Sequence, residues 1–67
     1  MIVLYTTKLC PKCGIVKAKL ENKHIEYTVI NDPNVLEEKG YLSVPVLEVD
    51  GVIMNSMLDI NEWINKQ

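Results

Sequence analysis

The two cysteines of this chain, Cys10 and Cys13, enclose only Pro11 and Lys12. A disulfide across so short a loop removes little freedom from the unfolded chain, so it stabilises a fold poorly. Two cysteines are also too few for the several bridges with which small secreted domains replace a hydrophobic core. The pair therefore indicates thiol chemistry rather than a structural crosslink.

The residues around the pair predict that it lies where a strand gives way to a helix. Met1–Tyr5 is a continuous, partly β-branched apolar run, which is typical of a strand buried on both faces. Residues 6–9 form a loop, and Pro11 suits the first turn of a helix, where its missing N–H is no loss. Cys10 then occupies the N-cap of a helix whose apolar face carries Ile15, Val16 and Leu20.

A helix start favours the charged form of a cysteine. The thiolate is the form that attacks a disulfide, and the unpaired N–H groups and positive dipole end of a helix N-terminus stabilise it. Thiols in such settings have pKa values of about 3.5 to 7.5, against about 8.5 for a free cysteine. We expect Cys10 to be the nucleophile and Cys13, one turn later on the same side, to resolve the mixed disulfide.

Positive charge is concentrated near this pair. The net charge of −2 is too balanced to indicate a nucleic acid partner. Within residues 1–23, however, Glu21 is the only acid, and five of the seven lysines lie there: Lys8, Lys12, Lys17, Lys19 and Lys23. Lys19 and Lys23 fit a solvated helix face, whereas Lys8 and Lys12 bracket Cys10 and add positive charge beside its thiol.

A zinc site is the alternative use of a Cys-x-x-C pair. Zinc takes four ligands in structural sites, and His24 is the only other soft ligand in the chain. The helix that starts at Pro11 rises about 1.5 Å per residue and puts His24 at its far end. One chain cannot complete the metal site, so we predict redox chemistry without a metal. The same distance makes His24 a partly exposed structural histidine rather than a general base.

The middle of the chain predicts a second strand and a short helix. Residues 25–30 alternate in polarity, as a strand does, with an inner face formed by Ile25, Tyr27 and Val29. A short connection after the first helix favours a right-handed crossover that makes the first two strands parallel. Asp32 caps a short helix over residues 33–39, which Gly40 ends.

The last third predicts a hairpin and a final helix. Asp50-Gly51 between strands 46–49 and 52–54 is the signal of a type I′ hairpin. Ser56, followed three residues later by Asp59, resembles a capping box. The helix that it opens has a buried stripe of Ile60, Trp63 and Ile64. The order is thus β-α-β followed by β-β-α.

Pro45 opens the strand at 46–49, where proline is tolerated only at an end or an edge. An ordinary trans proline is the commoner case. Its place after β-α-β, beside the cysteine pair in a fold of this order, favours a cis Val44-Pro45 bond. Such a bond would turn the backbone of Val44 outward, free to pair with an extended substrate segment.

These motifs resemble the glutaredoxins, a family of the thioredoxin superfamily, over nearly the whole chain. The resemblance is carried by Tyr5-Thr6, Cys10-Pro11-Lys12-Cys13, Ser43-Val44-Pro45 and the Asp50-Gly51 hairpin before a final helix. It implies an α/β, thioredoxin-like fold with a four-stranded mixed sheet and helices on both faces. It also implies Cys10 as the attacking thiol, Cys13 as the resolving thiol and Pro45 as the cis-proline next to them.

The resemblance further implies a thiol-disulfide oxidoreductase that reduces protein disulfides or glutathione mixed disulfides. Its reductant would be glutathione, as a co-substrate, or a flavoprotein thioredoxin reductase. Four positions depart from the glutathione site of the family, because Thr7 replaces a common lysine, Asn55-Ser56 replaces Gly-Gly and Leu58 replaces an aspartate. We expect substrate contacts from Lys8, Pro11, Lys12, Val44, Ser56 and Met57, the last two through amides at a helix start.

Three other functions remain open. A redoxin that donates electrons to ribonucleotide reductase has a similar size and a Cys-x-x-C pair, but this chain lacks the Trp-Ser-Gly-Phe stretch typical of those proteins. Some glutaredoxins carry a [2Fe–2S] cluster, a role that Pro11 and the altered glutathione site disfavour. The third is an interaction module with idle cysteines.

Length and composition limit the number of domains and the class of protein. The 67 residues, 48% apolar and 24% charged, suffice for one core, and we expect residues 1–67 to form a single domain. No apolar run approaches the length of a membrane span, and the start has no signal-peptide pattern. We expect a soluble, cytoplasmic monomer with no bound cofactor, which engages neither membrane nor nucleic acid.

Overall fold

The computed structural model describes residues 1–67 and contains four strands and three helices. In chain order these are β1 (Ile2–Tyr5), α1 (Pro11–Asn22), β2 (Thr28–Ile30), α2 (Pro33–Lys39), β3 (Val46–Val49), β4 (Val52–Met54) and α3 (Met57–Asn65). The predicted order of elements is confirmed, including the short helix α2. None of the helices has the length and apolar character that crossing a bilayer requires.

The four strands form one mixed sheet in the order β2-β1-β3-β4. β1 pairs in parallel with β2 and antiparallel with β3, and β4 pairs antiparallel with β3. Since β1 has a partner on each side, it lies in the middle of the sheet. Its residues Val3, Leu4 and Tyr5 are all buried, as the continuous apolar run predicted.

Helices cover both faces of this sheet. α1 and α3 pack on one face, around a core whose members are at most 1% exposed: Leu4, Val16, Leu20, Leu47, Ile60 and Ile64. On the other face, Leu36 of α2 packs against Val3, Tyr5 and Val46. Successive residues of a strand point to opposite faces, so β1 contributes to both cores. The predicted thioredoxin-like arrangement is confirmed.

Local capping rules set the ends of the elements. Asp32 caps α2 by accepting a hydrogen bond from the backbone N–H two residues on, and Gly40 ends it in the left-handed conformation with φ 76°. The Ser56 hydroxyl accepts a hydrogen bond from the N–H of Asp59 at 3.1 Å and caps α3. Asp50-Gly51 has positive φ at both residues, 48° and 88°, as a type I′ turn requires. These four predictions are confirmed.

The second strand is shorter than predicted, because the first residues of the predicted strand belong to the C-terminal turn of α1. The N–H groups of His24 and Ile25 bond back to the carbonyls of Glu21 and Leu20, and His24 is an exposed residue with φ 57°. This is the geometry of a Schellman C-terminus, which holds Ile25 at the helix. β2 therefore begins only at Thr28.

Three predicted core positions are less buried than expected. Val29 lies opposite Leu4 in the register, but on an edge strand, and it is 41% exposed. Ile15 is 50% exposed because α1 buries Cys13, Val16 and Leu20 instead, and successive residues of a helix point about 100° apart. For the same reason Trp63, next to the fully buried Ile64, is only half-buried.

The packing of α1 can be tested with two variants on one helix. Leu20→Ala should lower the free energy of unfolding by about 2 to 5 kcal/mol, because it leaves a cavity in the core between α1, α3 and the sheet. Ile15→Ala, at a half-exposed site, should cost less than about 1 kcal/mol. Urea unfolding of both oxidised variants, followed by circular dichroism, measures the difference. An equal loss in the two would contradict this orientation of α1.

Candidate active site

The sheet brings every predicted site residue to one edge. Tyr5 at the end of β1 lies beside Ile30 at the end of β2, so the loops to α1 and α2 leave from this edge. Val46 lies opposite Tyr5, so the segment that ends in Pro45 arrives there. β4 runs antiparallel to β3 and delivers the start of α3 to the same edge. The N-termini of all three helices therefore lie along this edge, which we call the active edge.

A disulfide joins Cys10 and Cys13 at the start of α1, with an S–S distance of 2.20 Å and a Cα–Cα distance of 5.3 Å. Cys10 is the N-cap with an extended backbone, and Pro11 is in the first turn, as predicted. The N–H of Cys13 donates a hydrogen bond to Sγ of Cys10 at 3.1 Å. The Cys10 sulfur thus occupies the place that a serine or aspartate oxygen takes at an ordinary N-cap.

The two sulfurs differ in accessibility. Cys10 is partly exposed, whereas Cys13 is 2% exposed and lies on the buried side of α1 with Val16 and Leu20. A group that approaches from solvent therefore meets Cys10 first. This asymmetry agrees with the prediction that Cys10 exchanges with substrates and Cys13 acts from within.

Two shallow depressions lie on the loop before the disulfide and share Lys8 and Leu9. One, of about 460 Å³, is lined by Lys8, Leu9, Cys10 and Pro11. The other, of about 490 Å³, is lined by Thr7, Lys8, Leu9, Asn31 and Pro33. A larger depression of about 730 Å³ adjoins the C-terminal part of α1 and the start of β2, and no cysteine lines it. The disulfide thus opens, through Cys10, onto the first of the two smaller depressions, and the second continues from it past Lys8 and Leu9.

The predicted lysines are available at this site. Lys8 and Lys12 are exposed, and neither has a carboxylate within salt-bridge distance; the ion pairs of the chain join Met1 to Asp50 and Lys66 to Glu62. Their ammonium groups remain free to attract an anionic ligand.

The Val44-Pro45 peptide bond is cis, as predicted. Pro45 is buried and Val44 is half-buried. Neither the N–H nor the C=O of Val44 forms a hydrogen bond within the chain. The active edge therefore presents one unpaired backbone donor and one unpaired backbone acceptor just before β3.

The start of α3 offers further backbone donors. Ser56 and Met57 are half-buried, and the Ser56 hydroxyl is engaged with the N–H of Asp59. The N–H groups of Met57 and Leu58 have no partner within the helix, as is general for a first turn. The amides of Ser56 and Met57, which were predicted to meet a carboxylate, lie at the active edge with them.

A tyrosine cluster under α2 was missed by the sequence analysis. The hydroxyl of Tyr5 donates a hydrogen bond to Oε1 of Glu48 at 3.3 Å, and the ring of Tyr41 packs edge-on against Tyr5 with centroids 5.1 Å apart. Nζ of Lys39 lies 5.6 Å from the centroid of the Tyr5 ring, within cation–π range. The cluster anchors the start of the segment that leads from α2 to Pro45.

The contact between Tyr5 and Glu48 could be predicted only from the register between β1 and β3. Glu48 lies opposite Val3, and Tyr5 is the next residue on the same face of β1, so the two side chains are diagonal neighbours. A sequence without known strand pairing does not specify that diagonal.

Fold and site together define a protein of the thioredoxin fold with a Cys-x-x-C pair, of the kind that thiol redox proteins use, at a helix start. A family model for glutaredoxin matches residues 2–54, and the chain belongs to this family. A relative, the uncharacterized glutaredoxin-like 8.6 kDa protein in the rubredoxin operon of Clostridium pasteurianum, is 38% identical, with 81% of each chain covered. The chain is thus a glutaredoxin-like thiol redox protein.

Solved structures share the fold. The thioredoxin-like protein BC3987 is 24% identical with a TM-score of 0.78, covering 96% of this chain and 99% of that one. A wheat glutaredoxin is 20% identical with a TM-score of 0.72, covering 98% of this chain and 71% of that one. At these identities the similarity establishes the fold, and the predicted fold and family are both confirmed.

The tyrosine cluster predicts a loss of stability in alkali. Burial, and then the Glu48 carboxylate, raise the pKa of Tyr5 above 10.0, while Lys39 opposes them. The folded chain therefore holds this proton to a higher pH than the unfolded chain does. The stability that results is complete below pH 10 and is lost as the pH rises through the folded pKa.

Urea unfolding at about pH 9 and pH 11 should show this loss in the wild type and a smaller loss in Tyr5→Phe. Some loss should remain, because burial also raises the pKa of Tyr27. Glu48→Gln should lower the pH at which Tyr5 ionises, read from tyrosinate absorbance. An unchanged alkaline loss in Tyr5→Phe would contradict the assignment.

Proposed function

We propose that this chain is a thiol-disulfide oxidoreductase that reduces protein disulfides or glutathione mixed disulfides through Cys10 and Cys13. The observation that supports this most directly is the disulfide at the N-cap of α1, in which Cys10 is accessible and Cys13 is 2% exposed. Membership of the glutaredoxin family points to the same class of reaction.

The reduced protein begins the cycle at Cys10. Its thiolate attacks one sulfur of the substrate disulfide, the substrate S–S bond breaks, and the departing thiolate takes a proton from solvent. The Cys13 amide, which lies 3.1 Å from Sγ of Cys10 in the oxidised chain, and the dipole of α1 stabilise the attacking thiolate. Cys10 is then joined to the substrate in a mixed disulfide.

Cys13 completes the reaction. Its thiolate attacks Sγ of Cys10, which releases the second substrate sulfur as a thiol and forms the Cys10–Cys13 disulfide. Two electrons have passed from the protein dithiol to the substrate. Because Cys13 lies on the buried side of α1, one turn from Cys10, it reaches Cys10 more readily than a second external disulfide.

The oxidised pair is reduced again by an external thiol. Two molecules of glutathione, which leave as glutathione disulfide, or a flavoprotein thioredoxin reductase supply the two electrons. A cytoplasmic location fits this proposal, because both reductants keep thiols reduced in that compartment. One chain contains both cysteines, so the proposed unit is a monomer.

Substrates are held by groups along the active edge. The free N–H and C=O of Val44 pair with the extended backbone on one side of a substrate cysteine, and Pro45 and Pro11 shape the walls around the sulfurs. Lys8 and Lys12 attract negative charge. The amides at Ser56 and Met57 receive a carboxylate when glutathione is the ligand.

Cysteine variants test the two roles. Cys10→Ser should be inactive in the reduction of a model disulfide, both with glutathione plus glutathione reductase and with thioredoxin reductase, because no accessible nucleophile remains. Cys13→Ser should retain activity only in a glutathione-dependent reaction, in which a second glutathione replaces the resolving thiol. Coupled NADPH oxidation measures both.

Asn65→Ala, a change at an exposed residue in the last turn of α3 and away from the active edge, serves as a control with wild-type activity. Full activity of Cys10→Ser would overturn the assignment of the nucleophile. Activity of Cys13→Ser equal to the wild type with thioredoxin reductase would overturn that of the resolving thiol.

The ionisation of Cys10 can be measured separately from turnover. In reduced Cys13→Ser, alkylation of Cys10 by iodoacetamide should be half-maximal well below pH 8.5, because a thiol at a helix start has a lowered pKa. Lys8→Gln and Lys12→Gln should move the midpoint upward, because each removes a positive charge near the sulfur. A midpoint at the ordinary thiol value of about 8.5 in the parent would contradict the electrostatic basis of the proposal.

A further inference from the structure

We infer, on the basis of the oxidoreductase function proposed above, that the active edge is a docking surface for an extended protein segment. This segment carries an apolar side chain next to its cysteine and an acidic side chain a few residues away. The docking surface consists of three exposed leucines, here called the leucine rim (Leu9, Leu42 and Leu58), together with Lys8 and Lys12.

The leucine rim stands out among the exposed apolar side chains. Leu42 is 101% exposed, Leu9 is 94% and Leu58 is 76%, whereas the other exposed large apolar residues, apart from Met1, are between 41% and 61% exposed. Single exposed leucines are ordinary in proteins. These three, however, all lie at the edge that holds the accessible sulfur, so they favour an interaction site.

The topology fixes where each leucine lies. Leu9 directly precedes Cys10, Leu42 lies in the segment that ends in Pro45, and Leu58 is in the first turn of α3. Their elements follow or precede β1, β3 and β4 at the same end of the sheet. The leucine rim therefore lies on more than one side of the disulfide.

The charge on this surface selects the partner. Lys8 and Lys12 are exposed without a salt bridge, and the first acid in the chain is Glu21. Asp32 and Asp59 lie at the starts of α2 and α3, on other elements than Leu9 and Cys10. The surface around Leu9 and Cys10 is therefore basic and complements an acidic segment.

The shape of the surface favours a peptide over a small thiol. The two depressions that share Lys8 and Leu9 extend from Cys10 to Pro33, beyond the end of β2. The full edge from β2 to β4 spans three strand spacings of about 4.8 Å, or roughly 14 Å. An extended chain covers about 3.3 Å per residue, so about five residues are needed to reach across it. The unpaired backbone of Val44 suits such an extended segment.

Matched peptides test this inference by single turnover, without any reductase. Each peptide is a mixed disulfide of its one cysteine with thionitrobenzoate, whose release is followed by absorbance. One peptide has leucine beside the cysteine and glutamate two residues away, and the other has serine and lysine in these places. The mixed disulfide of mercaptoethanol with thionitrobenzoate is the reference without a peptide.

The reduced wild type should react with the leucine–glutamate peptide about tenfold faster than with the serine–lysine peptide. Leu9→Ser should lower the ratio of the peptide rate to the reference rate about fivefold, because partner leucine surface is no longer buried against it. Lys8→Gln should lower the preference for glutamate about threefold, and added salt should have a similar effect. Val52→Ser on the β3–β4 hairpin and Lys66→Gln after α3 are matched controls and should leave these ratios unchanged.

Equal rates for the two peptides, or equal effects of Leu9→Ser and Val52→Ser, would overturn the inference while the proposed function stands. Sedimentation that shows a dimer in the wild type and a monomer in Leu9→Ser would assign the leucine rim to a second copy of the chain and also overturn it. Failure to reduce even the mercaptoethanol reference would instead remove the proposed function and, with it, this inference.

Discussion

The hydrogen bond from the backbone N–H of Cys13 to Sγ of Cys10 makes a sulfur the cap of a helix. A helix start has amide groups without partners, and most chains satisfy one of them with an oxygen. Here the acceptor is the sulfur to which we assign the chemistry. In the proposed reaction, the amide whose hydrogen bond caps the helix is therefore also the group that stabilises negative charge on Cys10. Pro11 supports the arrangement by starting the helix without a donor of its own.

This arrangement depends on the sheet, which brings the capped helix start together with the other segments of the active edge. β1 is the strand with a neighbour on each side, and its burial fixes the direction in which the loop to Cys10 leaves. The antiparallel register of β3 then brings Pro45 to the same edge. α1 packs on this core with Cys13 on its buried side, so that Cys10 meets solvent and Cys13 does not, as the proposed two-step reaction requires.

The opposite face of the sheet has a supporting role. Tyr5 ends β1 on this face, bonds to Glu48 of β3 and packs against Tyr41. Its burial ties the segment after α2 to the central strand, immediately before the residues that line the active edge. The polar cluster thus links the position of the Pro45 segment to the same strand that positions the cysteines.

Much of this protein could be predicted from neighbouring residues alone. Helix starts at Cys10, Asp32 and Ser56, the turn at Asp50-Gly51 and the stop at Gly40 follow from backbone rules that operate within four or five residues. The cis bond before Pro45 and the family were also predictable, because motifs in a fixed order specify them. The proposed roles of the cysteines rest on the same local electrostatics.

Burial and long-range pairing could not be predicted in the same way. The sequence does not specify whether α1 buries Ile15 or Cys13. The position of α3 and the sheet decides it, and Cys13 is the residue that is buried. Val29 reads as a core residue until it is placed on an edge strand, and the diagonal contact of Tyr5 with Glu48 requires a strand register. Capping and turn preferences are local energies that a short stretch of chain carries with it, whereas exposure is a property of how distant stretches share one surface.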